Sequence, residues 1–123
     1  MLEDNINHFF DKHLYKSFGS LGVLGSTINE YGGAGVNQVA YGITAYEFEK
    51  IDSSYRSSIS VQSSLVIHPI NSFGSKDQKE EYLPDLISGK KIGCFGLTES
   101  EAGSDPSSMK TSFNETSEEY ILN

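Results

Sequence analysis

The residues best suited to chemistry lie in one short stretch, Phe95-Gly96-Leu97-Thr98-Glu99-Ser100-Glu101-Ala102-Gly103-Ser104-Asp105-Pro106. Glycine carries no Cβ, so Gly96 and Gly103 let the backbone come close to a flat or charged group. The hydroxyls of Thr98 and Ser104 can hydrogen-bond a heteroaromatic edge or a phosphate oxygen, and successive loop N–H groups can hold an anion. These residue types fit a ligand loop and an ordinary turn equally well. A second candidate is Arg56, the only arginine beside eight lysines. Its planar guanidinium matches a carboxylate through two parallel bonds, which a lysine ammonium cannot do. A surface salt bridge is the alternative for an isolated arginine. His8, His13 and His68 lack metal-ligand spacing and have no accompanying Cys or acidic pattern. Cys94 has no adjacent cation to favour its thiolate and reads as a buried strand cysteine. Nothing else supports an acid–base pair of Glu99 and Glu101.

The elements that must position these residues are mostly helical. Ile6, Phe9, Phe10, Leu14 and Phe18 recur at three- and four-residue steps, which predicts a helix over 5–18. Six of the twelve glycines (Gly19, Gly22, Gly25, Gly32, Gly33 and Gly35) mark a looped stretch over 19–35. Gly32-Gly33-Ala34-Gly35 precedes a helix, yet no Lys-Ser/Thr pair follows and no buried strand precedes. It is therefore neither a P-loop nor a dinucleotide turn, and reads as the turn that starts the next helix. That helix spans 37–51, capped by Asn37, with Val39, Ala40, Ile43, Phe48 and Ile51 as an apolar stripe broadened by Tyr46. A helix over 55–73 follows, its serines packing against backbone or lining a polar cavity, and Pro69 predicts a kink. Ser75-Lys76-Asp77-Gln78 has capping-box spacing and opens a helix to about Tyr82. Pro84 restarts a short turn, and Gly89 stands where a helix C′ glycine belongs. Beyond it, residues 92–97 read as a buried strand, and 107–113 and 119–123 as two more around a turn at 114–118. Helices first and strands after predict α+β or two separate domains, a mainly α stretch over 1–90 and a β stretch over 91–123.

Composition narrows the function. The 123 residues carry a formal charge of −8, which disfavours nucleic acid and anionic lipid as partners. No apolar run approaches the length of a membrane span. A single cysteine allows no internal disulfide, and the acidic opening MLEDNINHFF is neither a secretory signal nor an Arg-rich transit segment.

Taken together, CFGLTExxxGSDPSSM resembles the flavin-binding signature of acyl-CoA dehydrogenases, closest to that of the glutaryl-CoA dehydrogenase branch. Leu21-Gly22-Val23-Leu24-Gly25, Val39-Ala40-Tyr41-Gly42, Tyr55-Arg56-Ser57-Ser58, Ser60-Val61-Gln62-Ser63-Ser64-Leu65-Val66, His68-Pro69-Ile70 and Tyr82-Leu83-Pro84 agree in the same order, over about residues 18–123. Ser100 departs from the family's usual Pro, and Glu101 adds a charge.

The resemblance implies a helical domain, a middle β-domain and a C-terminal bundle, with FAD between the last two and a homotetramer as the usual assembly. It assigns Phe95, Gly96, Leu97, Thr98, Glu99, Gly103 and Ser104 to the cofactor, Thr98 facing the flavin ring and Ser104 near the diphosphate and the acyl-CoA. It assigns Arg56 and Ser57 to the distal carboxylate of a dicarboxylic acyl chain. The implied reaction is α,β-dehydrogenation of glutaryl-CoA with loss of carbon dioxide to crotonyl-CoA, electrons passing to electron-transfer flavoprotein. The family's catalytic glutamate lies past Asn123, so no catalytic residue is assigned here, and the chain alone is expected to be inactive. A non-catalytic interaction module and a dehydrogenase of another acyl-CoA are the alternatives. The family's eukaryotic compartment is the mitochondrial matrix.

Overall fold

The computed structural model describes residues 2–123. Six α-helices precede a β-hairpin: α1 (Leu2–Ile6), α2 (Leu14–Ser20), α3 (Gln38–Ile51), α4 (Ser53–Ser60), α5 (His68–Phe73) and α6 (Lys76–Ile87). A π-helical segment, Val61–Ile67, joins α4 to α5 in one continuous rod. A 3-10 turn (Pro106–Ser108) leads to β1 (Phe113–Glu115) and β2 (Tyr120–Leu122), paired antiparallel with Asn114 opposite Ile121. This is the mainly α body followed by the start of a β-region that the residue pattern predicts. Among the described residues, no helix is long and apolar enough to cross a membrane.

Local capping places the helices. Asn37 Oδ1 accepts from Ala40 N–H at 2.9 Å and starts α3. Asp52 has extended backbone; its N–H closes α3 on Phe48 O, and its carboxylate accepts from Ser54 and Tyr55 N–H to open α4. Ser75 and Gln78 exchange both bonds of a capping box at 3.2 and 2.9 Å. Gly89, with φ +71°, stops α6 in the left-handed region that glycine enters without strain.

Two expectations change. The helix expected over 5–18 is broken, because Asp11 Oδ1 accepts the His13 N–H in a local turn and His8 turns to φ +54°. Ile6 and Phe9 are accordingly exposed, while Phe18 reaches the core. Pro84 does not restart the chain: α6 runs through it because Leu83, Leu86 and Ile87 are all buried on one face. Pro69 produces no separate break; the widened π turns precede it and α5 continues directly.

The core is built from Tyr15, Phe18, Leu24, Ile28, Tyr55, Ile59, Val66, Ile67, Leu83, Leu86 and Ile87. Phe18 stacks edge-on against Phe48 and Tyr55, with ring centres 5.3 and 5.8 Å apart. Along the central rod the buried residues Tyr55, Ile59, Ser63 and Ile67 recur every four positions. In a regular α-helix each such step drifts about 40° around the axis. The wider π turns from Val61 onward turn less per residue and offset that drift at Ser63 and Ile67. The apolar stripe expected on α3 is present but exposed at Val39, Ile43, Tyr46 and Ile51, and only Phe48 packs against the core.

Candidate functional site

The 95–104 loop lies on the surface beyond α6. Its approach, 92–97, is not a strand: a strand requires a paired ladder, and among the described residues no segment pairs with it. Cys94 is therefore exposed rather than buried, as are Ile92, Phe95 and Leu97. The hairpin is also shorter than expected, since Pro106–Ser108 forms a 3-10 turn capped by Asp105 and the ladder begins near Ser112. Its turn falls at Thr116–Glu119, where the Glu119 carbonyl accepts from Thr116 N–H.

Glu99 and Ala102 exchange two backbone bonds of 3.2 Å, so Ser100 and Glu101 form a tight tip. Both Glu99 carboxylate oxygens are taken by the segment before β1, Oε2 by Lys110 N–H at 2.8 Å and Oε1 by Thr111 N–H at 3.0 Å. Hydrogen bonds from the Thr111 side chain and from these two backbone groups hold the Glu99 carboxyl below the usual glutamate range. Glu101 pairs with Lys110 Nζ on the surface. The two acids thus serve separate straps and form no acid–base pair. Because the folded Glu99 carboxyl is the stronger acid, its contribution is complete above the usual glutamate range and is lost as pH falls through its folded value. Amide exchange at Lys110 and Thr111, measured from neutral pH down through that range, is expected to accelerate relative to α6 amides.

Gly96 and Gly103 share a property that separates them from most other glycines. Neither has positive φ, and a Cβ built on either meets nothing within 4 Å. Neither backbone geometry nor packing within the chain requires glycine there, so the open face is available to a group from outside. Thr98 and Ser104 are exposed beside them.

Arg56 lies elsewhere, on α4. Its Nε donates to Glu49 Oε2 on α3 at 2.5 Å, and Ser53 Oγ donates to Glu49 Oε1 at 2.7 Å. The Arg56 bond, then the Ser53 bond, hold the Glu49 carboxyl below the usual range. Among the described residues the terminal guanidinium nitrogens have no hydrogen-bond partner. Arg56 is half-buried above a small crevice of Val23, Tyr41, Phe48 and Ile59, and Ser57 is exposed beside it. No hydrogen bond or ion pair among the described residues joins Arg56 or Ser57 to the 95–104 loop.

The serine-rich rod does both things expected of it. Ser63 Oγ accepts from the Gly25 N–H at 3.1 Å in a buried contact, letting the glycine loop lie close. Ser64 meets the Tyr41 hydroxyl at 3.1 Å in a cleft of about 160 Å³ lined also by Ser26, Thr27, Gln38 and His68. Among the described residues, Ser26 Oγ is buried there without a hydrogen-bond partner. Since an unpaired buried hydroxyl costs about 1–3 kcal/mol, Ser26→Ala is expected to be neutral or slightly stabilising in urea unfolding.

Two residues escaped sequence reasoning. Glu49 is the partner of Arg56 but sits across a helix junction, where no helical spacing rule links the two. Gln62 is fully buried and bonded to three backbone groups, with no local pattern to mark it.

Comparison with known proteins agrees with this architecture. The acyl-CoA dehydrogenase N-terminal domain profile matches residues 3–90. A glutaryl-CoA dehydrogenase from Mycobacterium smegmatis, in complex with FADH2, is similar at 47% identity and TM-score 0.88, covering 93% of this chain and 30% of that one. The butyryl-CoA dehydrogenase of Megasphaera elsdenii is similar at 36% identity and TM-score 0.86, covering 98% of this chain and 33% of that one. Human mitochondrial short-chain specific acyl-CoA dehydrogenase is 38% identical over 117 residues, 94% of this chain and 28% of the human protein. The chain thus spans about a third or less of the length of these relatives. With a family profile over its helical body and aligned structures running into the loop beyond, the chain belongs to the acyl-CoA dehydrogenase family of oxidoreductases.

Proposed function

We propose that residues 1–90 are the helical domain, and 91–123 the opening of the β-domain, of an FAD-dependent dehydrogenase whose substrate is glutaryl-CoA. The observation that carries the substrate choice is Arg56. Glu49 grips only its Nε and leaves the terminal nitrogens for a second carboxylate. A guanidinium already oriented on one edge loses less freedom on binding an anion at the other, which suits a dicarboxylic acyl chain. Ser57, exposed one residue on, adds a hydroxyl donor beside it.

The 95–104 loop fits a flavin. Gly96 and Gly103 leave an open face, Thr98 offers a hydroxyl to a ring edge, and Ser104 offers one to a diphosphate. Phe95 and Leu97, on either side of Gly96, add exposed apolar surface. Glu99 contributes by holding the loop's shape rather than by touching a ligand, because both its oxygens are engaged. Bound FAD would supply the redox chemistry, and this chain supplies position and hydrogen bonds. Oxidation with decarboxylation to crotonyl-CoA, electron-transfer flavoprotein as acceptor, a homotetramer and a mitochondrial matrix setting accompany this reading.

The relatives that use short acyl chains favour a second reading, a dehydrogenase of a monocarboxylic acyl-CoA. A graft separates the two. Residues 3–123 replace the matching segment of the M. smegmatis enzyme, and the product is assayed with glutaryl-CoA and butyryl-CoA. The proposal expects a flavin-loaded protein that prefers glutaryl-CoA. A preference for butyryl-CoA would transfer the assignment to the second reading, and a flavin-free folded graft would remove the cofactor role of the loop.

A further inference from the structure

Gln62 stands at the first π turn of the central rod, with no exposed surface. Its amide is fully used. Nε2 donates to the Leu86 carbonyl at 2.9 Å and to the Lys91 carbonyl at 3.0 Å, and Oε1 accepts from the Gly93 N–H at 2.9 Å. Leu86 belongs to the end of α6, whereas Lys91 and Gly93 begin the segment that runs into the 95–104 loop. One side chain therefore joins the rod, the last long helix and the root of the loop.

A second contact lies beside it. Gly93 is seated on Val66, four residues along the same π segment, so closely that a Cβ at Gly93 would come within 2.3 Å of Val66 Cγ1. The Asp85 carbonyl, which accepts from Lys90 and Lys91 N–H, fixes the chain up to that point. From Gly93 to Thr98 no backbone ladder follows among the described residues, so the Gln62–Gly93 bond is the last hydrogen bond there before Glu99.

We propose that Gln62 is a positioning residue for the 95–104 loop, its amide and the Gly93–Val66 seat together setting where and in which direction that loop leaves the helical body. This rests, for its functional meaning, on the reading that the loop meets a flavin; the positioning itself needs no flavin. Glutamine suits the task because one planar group carries donors and an acceptor at a fixed spacing. Methionine of similar length has neither, and glutamate would keep the acceptor while enclosing a charge.

The test uses the full chain and residue-resolved amide exchange, with flavin uptake measured on the same substitutions in the graft described above. In Gln62→Met, the Gly93 amide is expected to exchange at least about tenfold faster, the loss of one to a few kcal/mol of bonding to an enclosed group. Amides from Ile92 to Leu97 loosen with it, while those of Leu83 and Ile87 keep their protection. Should Gln62→Met fail to fold, a second pair decides. Gly93→Ala pushes the segment off Val66 with Gln62 intact and is expected to loosen the same amides; adding Val66→Ala reopens the space and returns them towards the parent. Unchanged Gly93 exchange in folded Gln62→Met, or no recovery in Gly93→Ala/Val66→Ala, overturns the proposal. If the amides respond as expected but the graft carrying residues 3–123 takes up no FAD, the positioning stands and the flavin reading fails. If FAD binds and the amides do not respond, the reverse holds.

Discussion

Arg56→Leu, introduced into the grafted enzyme, is expected to lower kcat/KM for glutaryl-CoA by about 10²- to 10³-fold, the equivalent of roughly 3–4 kcal/mol. Oxidation of butyryl-CoA is expected to be largely unchanged. The reasoning starts from Glu49. Its carboxyl is held below the usual range by Arg56 and Ser53, so it is ionised at neutral pH and keeps the guanidinium in one orientation. The pair is too exposed to contribute much to folding, which leaves recognition as the property that suffers. A substrate carboxylate facing leucine would lose its charge partner and part of its solvation together. Because the distal carboxylate is remote from the reacting carbons, most of the loss should fall on KM. An equal loss for both substrates would point instead to a structural role for Arg56, and no loss for either would remove it from the substrate site.

A comparably large effect, on stability, is expected from Gly89→Ala. The residue sits at φ +71°, where an alanine side chain costs about 1–2 kcal/mol. The added Cβ would also lie 2.1 Å from the Tyr15 carbonyl oxygen and 2.5 Å from its carbon. Backbone cannot swing aside as a side-chain tip can, so α2 and the end of α6 must separate at a further cost of about 1–3 kcal/mol. Tyr15, Phe18, Leu86 and Ile87, all core residues, flank that contact. The sum, roughly 2–5 kcal/mol, is a large part of the stability of an ordinary domain. Urea unfolding followed by circular dichroism should show a much lower midpoint with little change in slope. A midpoint within experimental error of the parent would mean that the helices are not pressed together at this point.

These results bear on what the residue order made readable. Asn37, the Ser75–Gln78 box and Gly89 were legible because each acts on a neighbour within a few positions. The loop with open glycines at Gly96 and Gly103 was legible as residue types, although not as a shape. Segment 92–97 carries a strand's composition, yet pairing is a property of two segments, and no described segment pairs with it. The break before α2 depended on a single Asp11 bond, which outweighed a well-formed apolar period. Glu49 with Arg56, and Gln62 with Leu86, Lys91 and Gly93, join positions that only the tertiary fold brings together. The exposed stripe of α3 shows that periodicity marks a face without saying what lies against it.

The four-residue recurrence along the central rod also constrains how this gene segment can vary in length. Removing one residue between Val61 and Ile67 would still leave a helix able to close its hydrogen bonds, so local propensity offers no resistance. Everything from His68 onward, however, would be carried around the axis relative to Tyr55 and Ile59 for as long as the wide turns persist. Ile70 would swing away from the core it now touches. Insertions and deletions should therefore be rarer here than in the glycine loop before α3, even though both stretches tolerate many single substitutions on their outer faces.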